Sequence, residues 1–261
     1  MVKQPLTLDE PTEEEKIISF VRKTVGAARA HGVVLGLSGG IDSAVVCALC
    51  AEALGEKKVL GILMPSDSTP PQDEADARTL ASLLGIRTKE VAISNVVGEL
   101  LAGVKVKGTK LARANLQARA RMTILYFYAN TLGLLVAGTG DRSEVEIGFF
   151  TKYGDGGADF LPIAHLYKTQ VRRLASHLGV LPSIVRKPSS PQLWLGHKAT
   201  DELPADYDRL DLVLYYLLDE RLTVGEAASK AGVRREVGGK VLEMIRSSAH
   251  KRALPPSLEG R

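Results

Sequence analysis

Residues 33–49 read VVLGLSGGIDSAVVCAL, and the order of side-chain types along this stretch decides the fold. The β-branched and aliphatic residues from Val33 to Leu37 suit a buried strand, the glycine pair suits a sharp turn, and the small side chains from Ile41 onward suit a helix. At such a junction the N–H groups of the turn and of the first helical turn face one space, together with the positive end of the helix dipole. The result is an anion cradle suited to phosphate. Neither common nucleotide fingerprint fits, because there is no G-x-x-x-x-G-K-[ST] with its lysine and no G-x-G-x-x-G followed by a ribose-binding acid. Asp42 would repel phosphate unless a cation lay between them, so its place in the cradle points to Mg2+. A plainer reading also accounts for a bare Ser-Gly-Gly: the glycines only turn the chain, Ser38 caps the helix and Asp42 favours its dipole.

Upstream, Thr12 to Ala30 predicts an amphipathic helix, with Thr12 and Glu15 at capping-box spacing and Ile17, Ile18, Val21 and Val25 on one stripe. Downstream, Val59 to Met64 predicts a second buried strand, Pro65 to Pro71 a turn, Asp73 to Leu84 a helix and Thr88 to Ile93 a third strand. A long helix from about Thr109 to Leu132 carries Arg113, Arg119 and Arg121 and leads into a strand at Gly133 to Ala137. This alternation predicts an α/β fold, a doubly wound parallel sheet with helices on both faces. In such sheets ligands sit beyond the carboxyl ends of the strands, where the strand order reverses. The loops Ser38 to Ser43 and Gly138 to Glu144 both lie at such ends, so the two can share one ligand. The segment Phe149 to Val171 has neither helical nor strand periodicity, and a run of that kind in a compact domain is functional or mobile.

The chain has 261 residues, 45% hydrophobic and 25% charged, which is enough for one large globular domain. It holds no apolar run of membrane-spanning length, and its start, MVKQPLTLDEPTEEEK, is polar and acidic rather than a signal peptide. A cytoplasmic enzyme is expected. The net charge of +4 suits an anionic small substrate as well as a nucleic acid. Cys47 and Cys50 form a C-x-x-C pair, but two thiols without a nearby histidine undersupply a metal, and their small apolar neighbours predict core packing.

Written out as S-G-G-x-D-S directly after a buried strand, the opening motif resembles the phosphate loop of the N-type ATP pyrophosphatases, which cleave ATP between its α and β phosphates. Residues 138–171, GTGDRSEVEIGFFTKYGDGGADFLPIAHLYKTQV, are similar to the signature region of NAD synthetase, the amidating family within that class. The resemblance runs from the phosphate loop nearly to the end of the chain. It implies a single domain over 1–261 without a glutaminase domain, built on a parallel sheet of about five strands of the adenine nucleotide alpha hydrolase kind, with C-terminal helices.

Carried over by position, the resemblance puts Gly36, Leu37, Ser38, Gly39, Gly40, Ile41, Asp42 and Ser43 on the ATP phosphates and Thr139 on ATP. Asp42 and Glu144 become the Mg2+ ligands, and Lys168, in LYKTQ, the catalytic lysine on the phosphates. Ser189, after Lys187-Pro188, stands where the family has a hydroxyl near the nucleotide, and Ser190 is close enough to leave that register open. Arg119, Lys152, Asp159, His250 and Lys251 match positions that contact the dinucleotide. Arginine suits a pyrophosphate or carboxylate as a bidentate fork and lysine as a point charge.

The reaction implied is the condensation of nicotinic acid adenine dinucleotide (deamido-NAD) with ammonia, driven by ATP going to AMP and pyrophosphate. No side chain presents itself as the base for ammonium. Free ammonia is the expected donor, with a separate glutaminase partner as the alternative, and the family forms homodimers with the dinucleotide site between subunits. Two departures stand out: the family pattern GTGNKSE is GTGDRSE here, at Asp141 and Arg142, and the pattern Gly-Gln-Thr-Asp-Glu after Leu-Trp becomes Gly196-His197-Lys198-Ala199-Thr200. The latter falls in Ser183 to Asp206, a Pro-, Ser- and Gly-rich stretch suited to a lid.

Two other functions compete. The phosphate loop would suit a tRNA-thiolating or adenylating enzyme, with Cys47 and Cys50 supplying sulfur chemistry. At the C-terminus, LTVGEAASKAGVRREVGGKVLEMIRSS has a helix-turn-helix look: Thr223 and Glu226 cap one helix, and Val233, Val237 and Val241 stripe the next. That second helix presents Arg234, Arg235 and Lys240 alongside Glu236 and Glu243, and Gly238-Gly239 weakens it. Its other reading is a packing pair that delivers His250-Lys251 to the site, with no nucleic-acid or membrane partner.

Overall fold

The computed structural model describes residues 5–190, 194, 196 and 199–258. Four parallel strands, β1 (Gly32–Gly36), β2 (Val59–Leu63), β3 (Arg87–Glu90) and β4 (Leu134–Val136), pair in the order β3-β2-β1-β4. β1 is buried on both faces, which is why its sequence is apolar without alternation. Val33 and Leu35 face one core with α1 (Glu10–Ala27), α2 (Ile41–Leu54), α3 (Pro71–Leu83) and α7 (Lys168–His177). Val34, Leu60 and Ile62 face the other, against α4 (Ser94–Val104) and α5 (Lys110–Leu132). Burying each such aliphatic side chain stabilises the fold by about 1.5–3 kcal/mol.

The expectation of about five strands is corrected: among the described residues the sheet has four. A fifth is begun and abandoned. Ala137 and Phe160 form a single parallel bridge, but Pro162 has no N–H to extend the ladder and the chain turns at once. The loop read at Gly138 to Glu144 also ends early, because Arg142–Ile147 is a helix (α6), with Asp141 Oδ1 accepting the Glu144 N–H at 2.8 Å. Likewise α1 starts before Thr12, since Asp9 caps it and accepts the Thr12 N–H at 3.2 Å.

Beyond α8 (Pro182–Val185), the helices α9 (Tyr207–Leu218), α10 (Val224–Ala231) and α11 (Arg235–Ser247) share a third core through Leu210, Leu214, Ala231 and Val241, which also takes Ile147 of α6 and Tyr167. Gly238, read from sequence as a weak point, is buried where α11 crosses α10. A Cβ there would stand 3.2 Å from Val224 Cγ1 and 3.3 Å from Ala228 Cβ. The pair packs against the domain, and just past it Lys251 donates to the carbonyls of Gly148 (2.7 Å) and Phe150 (2.8 Å).

Candidate active site

The chain leaves β1 toward β2 on one side and returns as β4 on the other, so the strand order reverses between β1 and β4. The loops that follow these two strands open into one cavity of about 560 Å³. Gly36, Leu37, Ser38, Gly40, Ile41, Asp42, Thr139, Glu144, Lys168, Ser189 and Lys251 all line it, and so does Ser190, so both hydroxyls of the ambiguous register are present. Gly39 and Ser43 shape the first loop from behind. Ser43 Oγ donates to the Gly40 carbonyl at 2.9 Å, and the Gly40 N–H donates to Ser38 Oγ at 3.2 Å.

Gly40 is the N-cap of α2, and no side chain caps that helix. Ser38 therefore closes the turn and does not cap, which leaves the first-turn N–H groups of α2 facing the cavity, as an anion site requires.

Opposite the cradle, the Lys168 ammonium bonds Asp42 Oδ2 at 2.6 Å and Glu144 Oε1 at 2.9 Å, and it lies 3.0 Å from Asp141 Oδ2. One buried cation thus meets three carboxylates. Burial pushes Asp141 up to about 7 against the pull of Lys168, and Glu144 is raised for the same reason. Burial alone would lower Lys168, but Asp141, Asp42 and Glu144 outweigh it and hold the ammonium well above the usual lysine range. Asp42 keeps a second, buried oxygen without a hydrogen-bond partner among the described residues. Hard oxygen donors of this kind, one of them unpaired beside a phosphate cradle, fit Mg2+.

Four dinucleotide candidates lie outside the cavity lining. Arg119 Nε donates to the Lys152 carbonyl at 3.2 Å, and Lys152 Nζ donates to the His250 carbonyl at 2.7 Å. Asp159 accepts from the Val136 N–H at 2.7 Å and from the Tyr126 hydroxyl at 3.0 Å. Lys152 Nζ lies 5.3 Å from the Tyr153 ring centre, and Tyr126, the partner of Asp159, lines one surface hollow with the exposed rings of Tyr153 and Phe127.

Sequence reasoning missed several groups. Lys187 Nζ bonds the Gly39 carbonyl at 3.0 Å, Asp76 Oδ2 at 2.9 Å and Asp73, tying the phosphate loop to α3. Arg121 lines the cavity with Nε on the Met64 carbonyl, and burial lowers it to about 10, so it stays charged near neutrality. Asp141, noted only as a departure from a pattern, proves to be a neighbour of Lys168. In the stretch suited to a lid, Ala199 and Glu202 line the cavity and Lys110 Nζ sits 3.9 Å from the Trp194 ring centre. His197 and Lys198, within the departure noted above, lie outside the described residues.

Cys47 and Cys50 are buried in the core under α1, where burial pushes the Cys47 thiol up to about 12 and Cys50 higher still. Neutral, inaccessible thiols do not carry sulfur chemistry. Iodoacetamide at pH 8 should leave both unmodified in the native protein and label both in urea; labelling of the native protein at the denatured rate would restore the sulfur-transfer reading.

Two loops at one switch point, one presenting bare N–H groups and the other a carboxylate held by a buried ammonium, define the class: doubly wound α/β proteins that bind a nucleotide by its phosphates. Comparison with known proteins narrows it. A family model described as NAD synthase matches residues 13–255. The NH(3)-dependent NAD(+) synthetase of Hyperthermus butylicus is 51% identical over 253 residues, covering 97% of this chain and 92% of that one.

Among solved structures, the NMN synthetase of Francisella tularensis superposes with a TM-score of 0.85 at 31% identity, over 97% of this chain and 100% of that one. The NH3-dependent NAD synthetase of Campylobacter jejuni, in complex with nitrate, gives 0.83 at 30% over the same shares. The chain belongs to the NAD synthase family, ligases that form a C–N bond.

Proposed function

We propose that this chain amidates deamido-NAD with ammonia, spending ATP to AMP and pyrophosphate by way of an adenylated carboxylate. The observation that carries the reading is the shared cavity, in which the uncapped start of α2 faces Lys168 as it bridges Asp42 and Glu144. A carboxylate resists amines because its charge repels nucleophiles and oxide does not leave, so it is first activated. The nicotinate oxygen attacks the α-phosphorus, the bond from that phosphorus to the pyrophosphate oxygen breaks, and the pyrophosphate is received by the cradle. Ammonia then attacks the acyl carbon, forms the C–N bond and releases AMP.

In the first step negative charge grows on the departing pyrophosphate. The α2 N–H groups and the Lys168 ammonium are fixed in place before the reaction begins, and such groups contribute about 3–4 kcal/mol each to a barrier of this type. Mg2+, held by Asp42 and Glu144, would supply further neutralisation of phosphate charge. Ala199 and Glu202, which line the cavity, would shield the acyl adenylate from water.

For the dinucleotide, Arg119, Lys152, Asp159 and His250 gather outside the ATP cavity, next to Phe127 at 69% and Tyr153 at 60% exposure. A second copy of the chain covering those rings would complete a deamido-NAD site at a homodimer interface. The chain is read as working in the cytoplasm, with free ammonia as donor.

The test uses the purified chain with ATP, Mg2+ and deamido-NAD, with ammonium added, withheld or replaced by glutamine. NAD and AMP should appear in equal amounts only with ammonium, and chelation of Mg2+ should abolish both. Nicotinic acid mononucleotide replaces the dinucleotide in a further arm, since the Francisella relative is named an NMN synthetase. ADP and orthophosphate as products, or amidation of the mononucleotide alone, would overturn the proposal.

A further inference from the structure

One buried carboxylate has no part in this chemistry. Asp211 lies on α9, fully buried, outside the cavity lining and 68 residues along the chain from its partner Ser143. Its Oδ1 accepts the Ser143 hydroxyl at 2.6 Å and its Oδ2 accepts the Thr169 N–H at 2.8 Å. Ser143 Oγ accepts in turn the Lys168 N–H at 3.0 Å. Asp211 thereby satisfies, directly or through one hydroxyl, the first two free N–H groups of α7, and puts a negative charge at the positive end of that helix.

The placement matters because of what these atoms carry. Lys168 is the first residue of α7, so fixing its backbone fixes the point from which its side chain reaches the acids. Ser143 precedes Glu144 on α6, and α6 has only a few residues with which to hold itself in place. Other bonds reach these two elements: Asp141 caps α6, and the Arg142 N–H donates to the Leu166 carbonyl at 2.8 Å. Asp211 differs from these in coming from outside both elements: from α9 it places one oxygen on Ser143 of α6 and the other on the backbone of α7. Resting on the functional reading above, we infer that Asp211 is a positioning residue: through Ser143 and the start of α7 it holds Glu144 and Lys168 in the register that lets one ammonium meet both Asp42 and Glu144.

A part that only packed the C-terminal helices would act on stability alone. A part that sets register acts on turnover, because a displacement of about 1 Å in reacting groups can cost about 100-fold in rate. Asp211→Asn keeps the shape but removes the charge and leaves one acceptor oxygen for two donors, so either the Thr169 N–H or the Ser143 hydroxyl proton loses its acceptor, even where the amide nitrogen donates back to Ser143 Oγ. Ser143→Ala removes the relay from the other side.

The experiment measures kcat and KM for ATP, together with melting temperature, in wild type, D211N, S143A and the double variant. D211N should lower kcat at least tenfold with KM for ATP within threefold of wild type. S143A should lower kcat at least fivefold, and the double variant should be no slower than the worse single one, since both break one relay. A kcat of D211N within twofold of wild type overturns the inference, and so do single effects that multiply in the double variant. Should D211N fail to fold, S143A decides by the same kcat criterion: fivefold slower supports the inference and within twofold of wild type overturns it. Wild type separates the two claims. Its failure to make NAD sinks the functional reading, whereas an active wild type with an unaffected D211N sinks only the role of Asp211.

Discussion

Replacing Lys168 with methionine should slow AMP formation by about 100- to 1,000-fold, the usual loss when one preorganised donor is taken from a charge-stabilising site. The side chain is fully buried and its ammonium bonds Asp42 and Glu144, so the variant sets an apolar group against both carboxylates. The same change should also lower stability near neutral pH. Removing one partner from a buried ionic cluster leaves uncompensated charge, which costs about 3–5 kcal/mol.

Acid should relieve that cost, and the sign follows from the direction of the shifts. Asp141 already has a folded-state pKa raised from 3.8 to about 7, and Lys168 is the group that restrains it. Without the ammonium the carboxylates take up protons in the folded state at a pH where the unfolded chain has released them. Stability is then present at low pH and lost as pH rises through the folded values. Thermal melts of K168M at pH 5.5 and pH 8 should show recovery at the lower value. A variant with wild-type turnover, or one whose melting temperature falls on acidification through this window, would contradict the assignment.

Gly39→Ala should be nearly as damaging, by a different route. Gly39 has φ of +73°, where an L side chain costs about 1–2 kcal/mol. A Cβ there would also stand 2.1 Å from the Asp73 carbonyl oxygen. That oxygen belongs to backbone at the start of α3, and Lys187 ties Asp73 and Asp76 of that helix to the Gly39 carbonyl, so relief of the clash strains the phosphate loop whichever side gives way. Displacing the cradle should raise KM for ATP and lower kcat, for a combined fall in kcat/KM of about 100-fold or more. Gly98→Ala is the control, because a methyl at that helical glycine meets nothing within 4 Å and should leave kcat/KM unchanged. Equal behaviour of the two variants would mean that the turn is not held as described.

The two variants mark what a linear sequence reveals. The cradle was legible because a buried strand, two glycines and a helix of small residues are neighbours in the chain, and each states its conformation locally. The second loop was legible by its place after a strand. Lys187 was visible only as a landmark before Ser189, since its partners at Gly39, Asp73 and Asp76 are more than 100 residues away. Asp211 sat on an apolar helix with no local pattern to mark it. The fifth strand failed for a local reason that was available, Pro162 two residues past the bridge, but a bridge formed with Ala137 leaves no periodicity to read. α6 was hidden by its brevity, although Asp141 and Glu144 have the spacing of a cap and its first-turn acid.

The C-terminal helices have a bearing on when the protein acquires its properties. Lys251 threads back between the carbonyls of Gly148 and Phe150, and Asp211 reaches into the junction of two elements made long before it. A growing polypeptide that has already emerged as far as its central sheet therefore owns a phosphate loop but lacks part of the wall behind it. What α9 and the residues past α11 add to it is bracing: the bond from Asp211 to the Thr169 N–H and those from Lys251 to the Gly148 and Phe150 carbonyls.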